Sequence, residues 1–147
     1  MSLDFKNIKN ILIPTDGSDY SLRAAEYGIS IAKMVSAQIM VIYVLDDIVL
    51  SQIAKVTENE DIEGELIKDG QRYINYILGL AEQQGVKAAF ILAKGMPFEQ
   101  IVHIAKGSKI DLIVMGTYGR RGADRILIGS VAERVIEYSP CPVLVIK

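Results

Sequence analysis

Apolar residues along this chain fall into two alternating rhythms. Short unbroken runs form the first: Ile11-Leu12-Ile13 closed by Pro14, then Ile39-Met40-Val41-Ile42-Tyr43-Val44-Leu45. A run that is apolar on both faces marks a strand buried on both sides, as in a parallel sheet between helical layers. Between the runs the spacing turns helical. Leu22, Ala25, Ile29 and Ala32 share one stripe behind Ser18, which predicts a helix capped by that serine. Residues 46–63 read as a long, partly helical excursion carrying the acidic patch Glu58-Asn59-Glu60-Asp61. Residues 64–84 then read as a helix, with Leu66, Tyr73, Ile77 and Leu80 or Ala81 in phase and Gly85 as its stop.

The same alternation continues to the C-terminus. Residues 87–93 predict a third strand, Gly95-Met96-Pro97 a turn, and Pro97 the first position of a helix on which Phe98, Ile101, Val102 and Ala105 recur up to Gly107. Residues 111–116 form a fourth apolar run, Ser130 opens a last helix that Pro140 ends, and residues 142–146 make a fifth strand. Strands that alternate with helices imply parallel strands, right-handed crossovers and helices on both faces. The expected class is therefore α/β, Rossmann-like, and 147 residues suit one domain spanning 1–147.

Composition narrows the function. The formal net charge of -2 disfavours nucleic acid as a partner. Cys141 is the single cysteine, so no internal disulfide and no thiolate cluster can form. No apolar stretch is long enough to span a bilayer, and Met1-Ser2-Leu3-Asp4-Phe5 does not resemble a secretion signal. A cytoplasmic setting is expected.

The candidate chemistry lies in a glycine pattern after the fourth strand: Gly116, Gly119 and then Gly129-Ser130, spaced G-x2-G-x9-G-S. A strand before and a helix after is the context in which open α/β sheets cradle phosphates, because the first helical N–H groups lack intrahelical partners and the helix dipole is positive there. Backbone N–H groups of Gly129, Ser130 and Val131 are the expected donors. Arg120, Arg121 and Arg125 stand against Asp124 alone between the outer glycines, so the segment is basic within an acidic chain. A purely architectural reading also exists: Ser130 and Glu133 form S-x-x-E, a capping box that accounts for Ser130 without a ligand.

On these residues the chain resembles the universal stress protein family, in its nucleotide-binding branch. The glycine signature, Ile13-Pro14-Thr15-Asp16 at the first strand end, Asp16-Gly17-Ser18 followed by Ser21, and Ser139-Pro140-Cys141-Pro142-Val143-Leu144-Val145-Ile146 carry the resemblance, which covers the whole chain. It implies an open five-stranded parallel sheet in the order 3-2-1-4-5 and a homodimer. It implies ATP, or AMP, as ligand, with Mg²⁺ or Mn²⁺ held by the phosphates and no metal ligands from the protein. By the same resemblance Pro14, Thr15 and Asp16 line the adenosine end, with Asp16 near ribose or adenine. Val44 offers backbone to adenine. Met115 and Gly116 touch base and ribose, and Gly119, Arg120, Gly129, Ser130 and Val131 serve the phosphates. Tyr118 stands where His or Arg is often found and receives no phosphate role. The implied activity is nucleotide-dependent stress signalling with little or no hydrolysis; the alternatives are an interaction module of the same fold without nucleotide, or a slow ATPase.

Rival readings meet obstacles. A phosphoacceptor role for Asp16, as in response-regulator receivers, lacks the paired acidic cluster and finds Lys94-Gly95 where the acceptor belongs. The first strand is followed by neither a Gly-x-Gly-x-x-Gly dinucleotide fingerprint nor a P-loop lysine. His103, the sole histidine, is expected on a solvated helix face, and Cys141 between two prolines is expected to be a small buried residue. Val143–Ile146 is expected at a sheet edge, where an uncharged apolar strand invites antiparallel pairing with a second copy.

Overall fold

The computed structural model describes residues 4–57, 61–118 and 128–147. Its centre is β1 (Asn10–Thr15), whose Ile11, Leu12 and Ile13 are fully buried. The strand is hydrogen-bonded in parallel to β2 (Gln38–Asp46) on one flank and to β4 (Leu112–Gly116) on the other. Outside these lie β3 (Ala88–Gly95) against β2 and β5 (Val143–Ile146) against β4, both parallel. The order is therefore β3-β2-β1-β4-β5, as the resemblance implies. The start of β1 is tied to the entry of β4 by Asp111, whose Oδ2 accepts from the N–H groups of Lys9 and Asn10, each at 2.9 Å.

The pleat divides the core in two. Ile11, Ile13, Ile39, Val41 and Tyr43 face a layer made by α1 (Asp19–Val35) and α3 (Ile62–Gln83). Leu12, Ile42, Ile113 and Met115 face α4 (Pro97–Gly107) and α5 (Ser130–Tyr138). The α1 stripe buries Ala24, Ala25, Gly28, Ile29 and Ala32, while Leu22 is only half-buried at its margin. Ser18 caps α1 as expected, its Oγ accepting from the Ser21 N–H at 3.2 Å. Pro97 opens α4, and Gly85 follows α3 with a φ of 70°.

The excursion is partly helical as expected, and one helix begins earlier than its spacing suggests. The excursion at 46–63 contains a separate helix, α2 (Asp47–Val56), capped by Asp46, whose Oδ1 accepts from Ile48 N–H at 2.9 Å and Val49 N–H at 3.4 Å. Asp46 itself ends β2, so strand and helix meet without a loop. No side chain of α2 is fully buried. Helix α3 begins at Ile62 rather than at 64, because Gly64 is tolerated within the first turn. Asp61 of the acidic patch stands at its N-cap; Glu58, Asn59 and Glu60 lie outside the described residues.

Glycines within α3 have unequal duties. A Cβ on Gly70 would overlap the Tyr43 ring, a rigid group on β2, whereas one on Gly79 would meet nothing within 4 Å. Overpacking a fitted contact costs roughly 1–3 kcal/mol, and relieving glycine of its helical entropy cost returns about 1 kcal/mol. Urea denaturation should therefore find Gly70→Ala destabilised by up to about 2 kcal/mol and Gly79→Ala stabilised by up to about 1 kcal/mol. Equal effects of the two would contradict this packing.

Candidate functional site

Because every strand is parallel, all the strand C-termini and the N-termini of α1, α2, α4 and α5 meet at one edge of the sheet. The strand order reverses at β1, with β2 and β3 added on one side and β4 and β5 on the other, so the crossovers diverge there and leave a crevice. A cavity of about 860 Å³ occupies it, within the ordinary range for a small-molecule site. Pro14, Thr15 and Asp16 enter from β1, Val44 from β2, Met115 and Gly116 from β4, and Gly129, Ser130 and Val131 from the start of α5. Every sequence candidate among the described residues thus lines one cleft. Gly119, Arg120, Arg121 and Arg125 lie outside the described residues.

The turn after β1 is built from its own side chains. Gly17 has a φ of 84°, and its N–H donates to Thr15 Oγ1 at 3.3 Å. Thr15 Oγ1 also meets Ser21 Oγ at 3.2 Å, and Ser21 Oγ donates to the Ser18 carbonyl at 2.9 Å. Asp16 Oδ1 accepts from the Ser18 N–H at 2.9 Å, an Asx turn that holds the carboxylate at the cleft. Thr15 therefore reaches the cleft with its hydroxyl already engaged in the turn.

The glycines have structural reasons of their own. A Cβ on Gly116 would lie 2.8 Å from the Tyr20 carbonyl carbon, so the first turn of α1 crosses β4 too closely for any side chain. One on Gly129 would lie 2.7 Å from the Thr117 carbonyl oxygen. Thr117 is anchored in turn, its N–H and Oγ1 both donating to the Ile146 carbonyl at 2.9 and 3.2 Å.

This crossing corrects two expectations. The Gly129 N–H donates to the Thr117 carbonyl, so it does not belong with the open donors of Ser130 and Val131. The capping box also fails: Gly129 is the N-cap of α5, Ser130 is already the first helical residue, and the Glu133 N–H donates to the Gly129 carbonyl at 2.9 Å. A hydroxyl one position past the cap cannot reach back to the N3 amide. Ser130 is instead exposed at the cleft with no capping bond to make.

The remaining walls were not legible in the motifs. Val49, Gln52 and Ile53 of α2, Leu66 and Asp69 of α3, and Pro97 and Ile101 of α4 complete the cleft. The i, i+4 spacing of Val49 and Ile53 marks one face of a helix, but which wall that face covers depends on where α2 lies. Among the described residues, the cleft's carboxylates stand on the β1, β2 and α3 side: Asp16, Asp46 at its cap, and Asp69, which pairs with Arg72 at 2.7 Å. Among the described residues no group of three His, Cys, Asp or Glu side chains converges as metal ligands. His103 is exposed on α4, away from the cleft lining. Cys141 is half-buried; burial pushes its thiol above the ordinary range, against a lowering hydrogen bond from Ser139. No described helix is long and apolar enough to cross a membrane.

With this geometry in hand, residues 7–147 match the model of the universal stress protein family. The chain belongs to that family. It is 47% identical over 141 residues to the universal stress protein MJ0531 of Methanocaldococcus jannaschii, covering 95% of this chain and 82% of that protein. The solved structure of the hypothetical protein MJ0577 from the same organism superposes with a TM-score of 0.83 at 30% identity, covering 95% of this chain and 96% of that one. A universal stress protein from Archaeoglobus fulgidus, solved in complex with dAMP, shares the fold at a TM-score of 0.71 and 21% identity, covering 95% and 98% of the two chains.

The corrected cap has a direct consequence. A serine that capped α5 would cost about 1 kcal/mol on conversion to alanine. Here Ser130→Ala should change stability by less than about 0.5 kcal/mol, while Gly129→Ala should lose roughly 1–3 kcal/mol to the clash with Thr117. Chemical denaturation of the two variants side by side checks both; a destabilised Ser130→Ala would restore the capping box.

Proposed function

We propose that this universal stress protein binds an adenine nucleotide, ATP foremost, in the cleft at the β1/β4 switch point and acts as a nucleotide-dependent signalling module. One observation carries the reading: the first amides of α5, with the Ser130 hydroxyl beside them, open onto the same cleft as an apolar slot and a carboxylate. Those three environments match phosphate, base and sugar. Phosphates suit the N–H groups of Ser130 and Val131, where the helix dipole is positive. The base suits the slot between Val44, Met115 and the apolar edge of α2. Asp16, an acceptor held away from the phosphate end, suits the ribose hydroxyls. The dAMP complex of the Archaeoglobus fulgidus protein is in keeping with this ligand class.

Charge-assisted hydrogen bonds contribute roughly 1.5–3 kcal/mol each, against an association cost of about 4–15 kcal/mol. A few such bonds plus a buried base reach the roughly -8 kcal/mol of micromolar affinity. A Mg²⁺ or Mn²⁺ ion would be held by phosphate oxygens and water, neutralising charge, because the described residues offer no converging ligand set. Hydrolysis is expected to be slow: among the described residues the cleft's carboxylates stand on the β1, β2 and α3 side, and no side chain beside Ser130 is arranged as a general base.

The second copy is assigned to β5. This edge strand leaves Leu144 exposed, and Ile136 and Tyr138 of α5 are exposed as well. Antiparallel pairing of two such edges closes both with two-fold symmetry.

Isothermal titration with ATP and Mg²⁺ should give a micromolar dissociation constant, and phosphate release should stay at the uncatalysed level over hours. No heat and no thermal shift with a folded sample would overturn the nucleotide assignment. Leu144→Lys should convert the dimer to monomer in sedimentation, because a charge at the centre of a paired apolar edge is unfavourable; a monomeric parent protein would remove the dimer instead.

A further inference from the structure

We propose that Tyr73 of α3 is a positioning residue that props the Asp16-Gly17-Ser18 turn and so sets the cleft's selectivity for the ribose hydroxyls. The inference rests on the nucleotide reading above. Its basis is contact. A Cβ on Gly17 would overlap the Tyr73 ring, so the ring lies directly against the turn that carries Asp16. Behind the turn is a second hollow of about 240 Å³, lined by Leu22, Arg72, Tyr73, Tyr76 and Ile77. Thr15 and Ser21 line both hollows, so the turn is a thin partition with space on either side. Such a partition holds its shape only if something fills the space behind it. The Tyr73 ring fills it at Gly17.

The prop is itself fixed. Gly70, one turn earlier on α3, seats against the Tyr43 ring on β2, and the Tyr43 and Tyr73 rings are 6.2 Å apart at 51°. The Arg72 guanidinium sits 5.7 Å from the Tyr73 ring centre and is paired with Asp69. Ile74 and Ile77 lock the helix to the core on the next turns. The ring is thereby referenced to β2, and the turn it supports to β1. A carboxylate held in place by an Asx turn can hydrogen-bond a diol only where the turn stands. If the turn sinks into the rear hollow, Asp16 recedes from the sugar while the amides of α5 and the slot beside Val44 are untouched.

That separation gives a readout a general structural defect would not produce. The probes are ATP and 2′,3′-dideoxy-ATP, each with Mg²⁺, titrated into the full chain. The parent protein should prefer ATP by roughly tenfold or more. In Tyr73→Ala the preference should fall to within about twofold, chiefly by weaker ATP binding, with dideoxy-ATP affinity nearly unchanged; Tyr73→Phe, which keeps the ring, should retain it. Hydrogen exchange of the Gly17 and Ser18 amides, without nucleotide, should accelerate in Tyr73→Ala and not in Tyr73→Phe. An unchanged ATP preference in Tyr73→Ala, or an equal loss for both nucleotides, overturns the positioning role. Unchanged exchange overturns it too, whatever the nucleotide data. A parent protein that binds neither nucleotide defeats the nucleotide reading instead, and the exchange comparison still judges the prop.

Discussion

Parallel hydrogen bonding of β1 to β2 on one flank and β4 on the other is the constraint from which the rest of the structure follows. A strand with neighbours on both edges and helices on both faces must be apolar throughout, and Ile11, Leu12 and Ile13 meet that demand with complete burial. Parallel pairing requires each strand to be re-entered from the same end, so every crossover helix that follows a strand starts at the carboxyl edge. Unpaired amides from several helices therefore collect on one side of the molecule. The reversal of strand order between β1 and β4 opens the gap that these amides overlook.

That gap stays open because two glycines allow the chain to cross itself closely. Gly116 passes under the first turn of α1 against Tyr20, and Gly129 passes the carbonyl of Thr117. Thr117 is in turn bound to Ile146 at the end of β5. The start of α5, the exit of β4 and the end of β5 thus form one hydrogen-bonded knot. The first amides of α5 are attached to this knot and so are held in place, which is the physical advantage of preorganised donors. At Gly116 and Gly129 the same absence of Cβ that lets the chain cross leaves backbone accessible at the cleft.

The opposite wall has a different character. Helix α2 joins β2 directly through Asp46, buries no side chain fully and still contributes Val49, Gln52 and Ile53 to the cleft. α3 is the rigid partner there, keyed to the sheet through Gly70 against Tyr43 and to the β1 turn through Tyr73 against Gly17. One side of the cleft is thus defined by backbone crossings and the other by side-chain packing. Substitutions on the α2 and α3 side have room to retune what the cleft accepts while the amide donors across from them stay in place.

What the sequence by itself determined was the alternation of elements, the doubly buried centre, the helix starts at Ser18 and Pro97, and the residues that gather at one edge. Each of these is encoded locally, by period, by a capping residue or by a run of β-branched side chains, and Pro14, Thr15, Asp16, Val44, Met115, Gly116, Ser130 and Val131 fell together in one cleft because strand ends in a parallel sheet have no other place to go. Only the tertiary structure decided how the hydrogen-bonding groups there are used. The Gly129 amide is engaged by Thr117, and Ser130 is released from capping because the chain crossing, and not the S-x-x-E pattern, sets where α5 begins. The walls from α2, α3 and α4 were equally out of reach, since helical period shows that a face is apolar without showing what it faces. Contacts between residues distant in sequence, such as Tyr73 against Gly17, depend on the angle and depth at which a helix docks, and those are properties of the packed molecule alone.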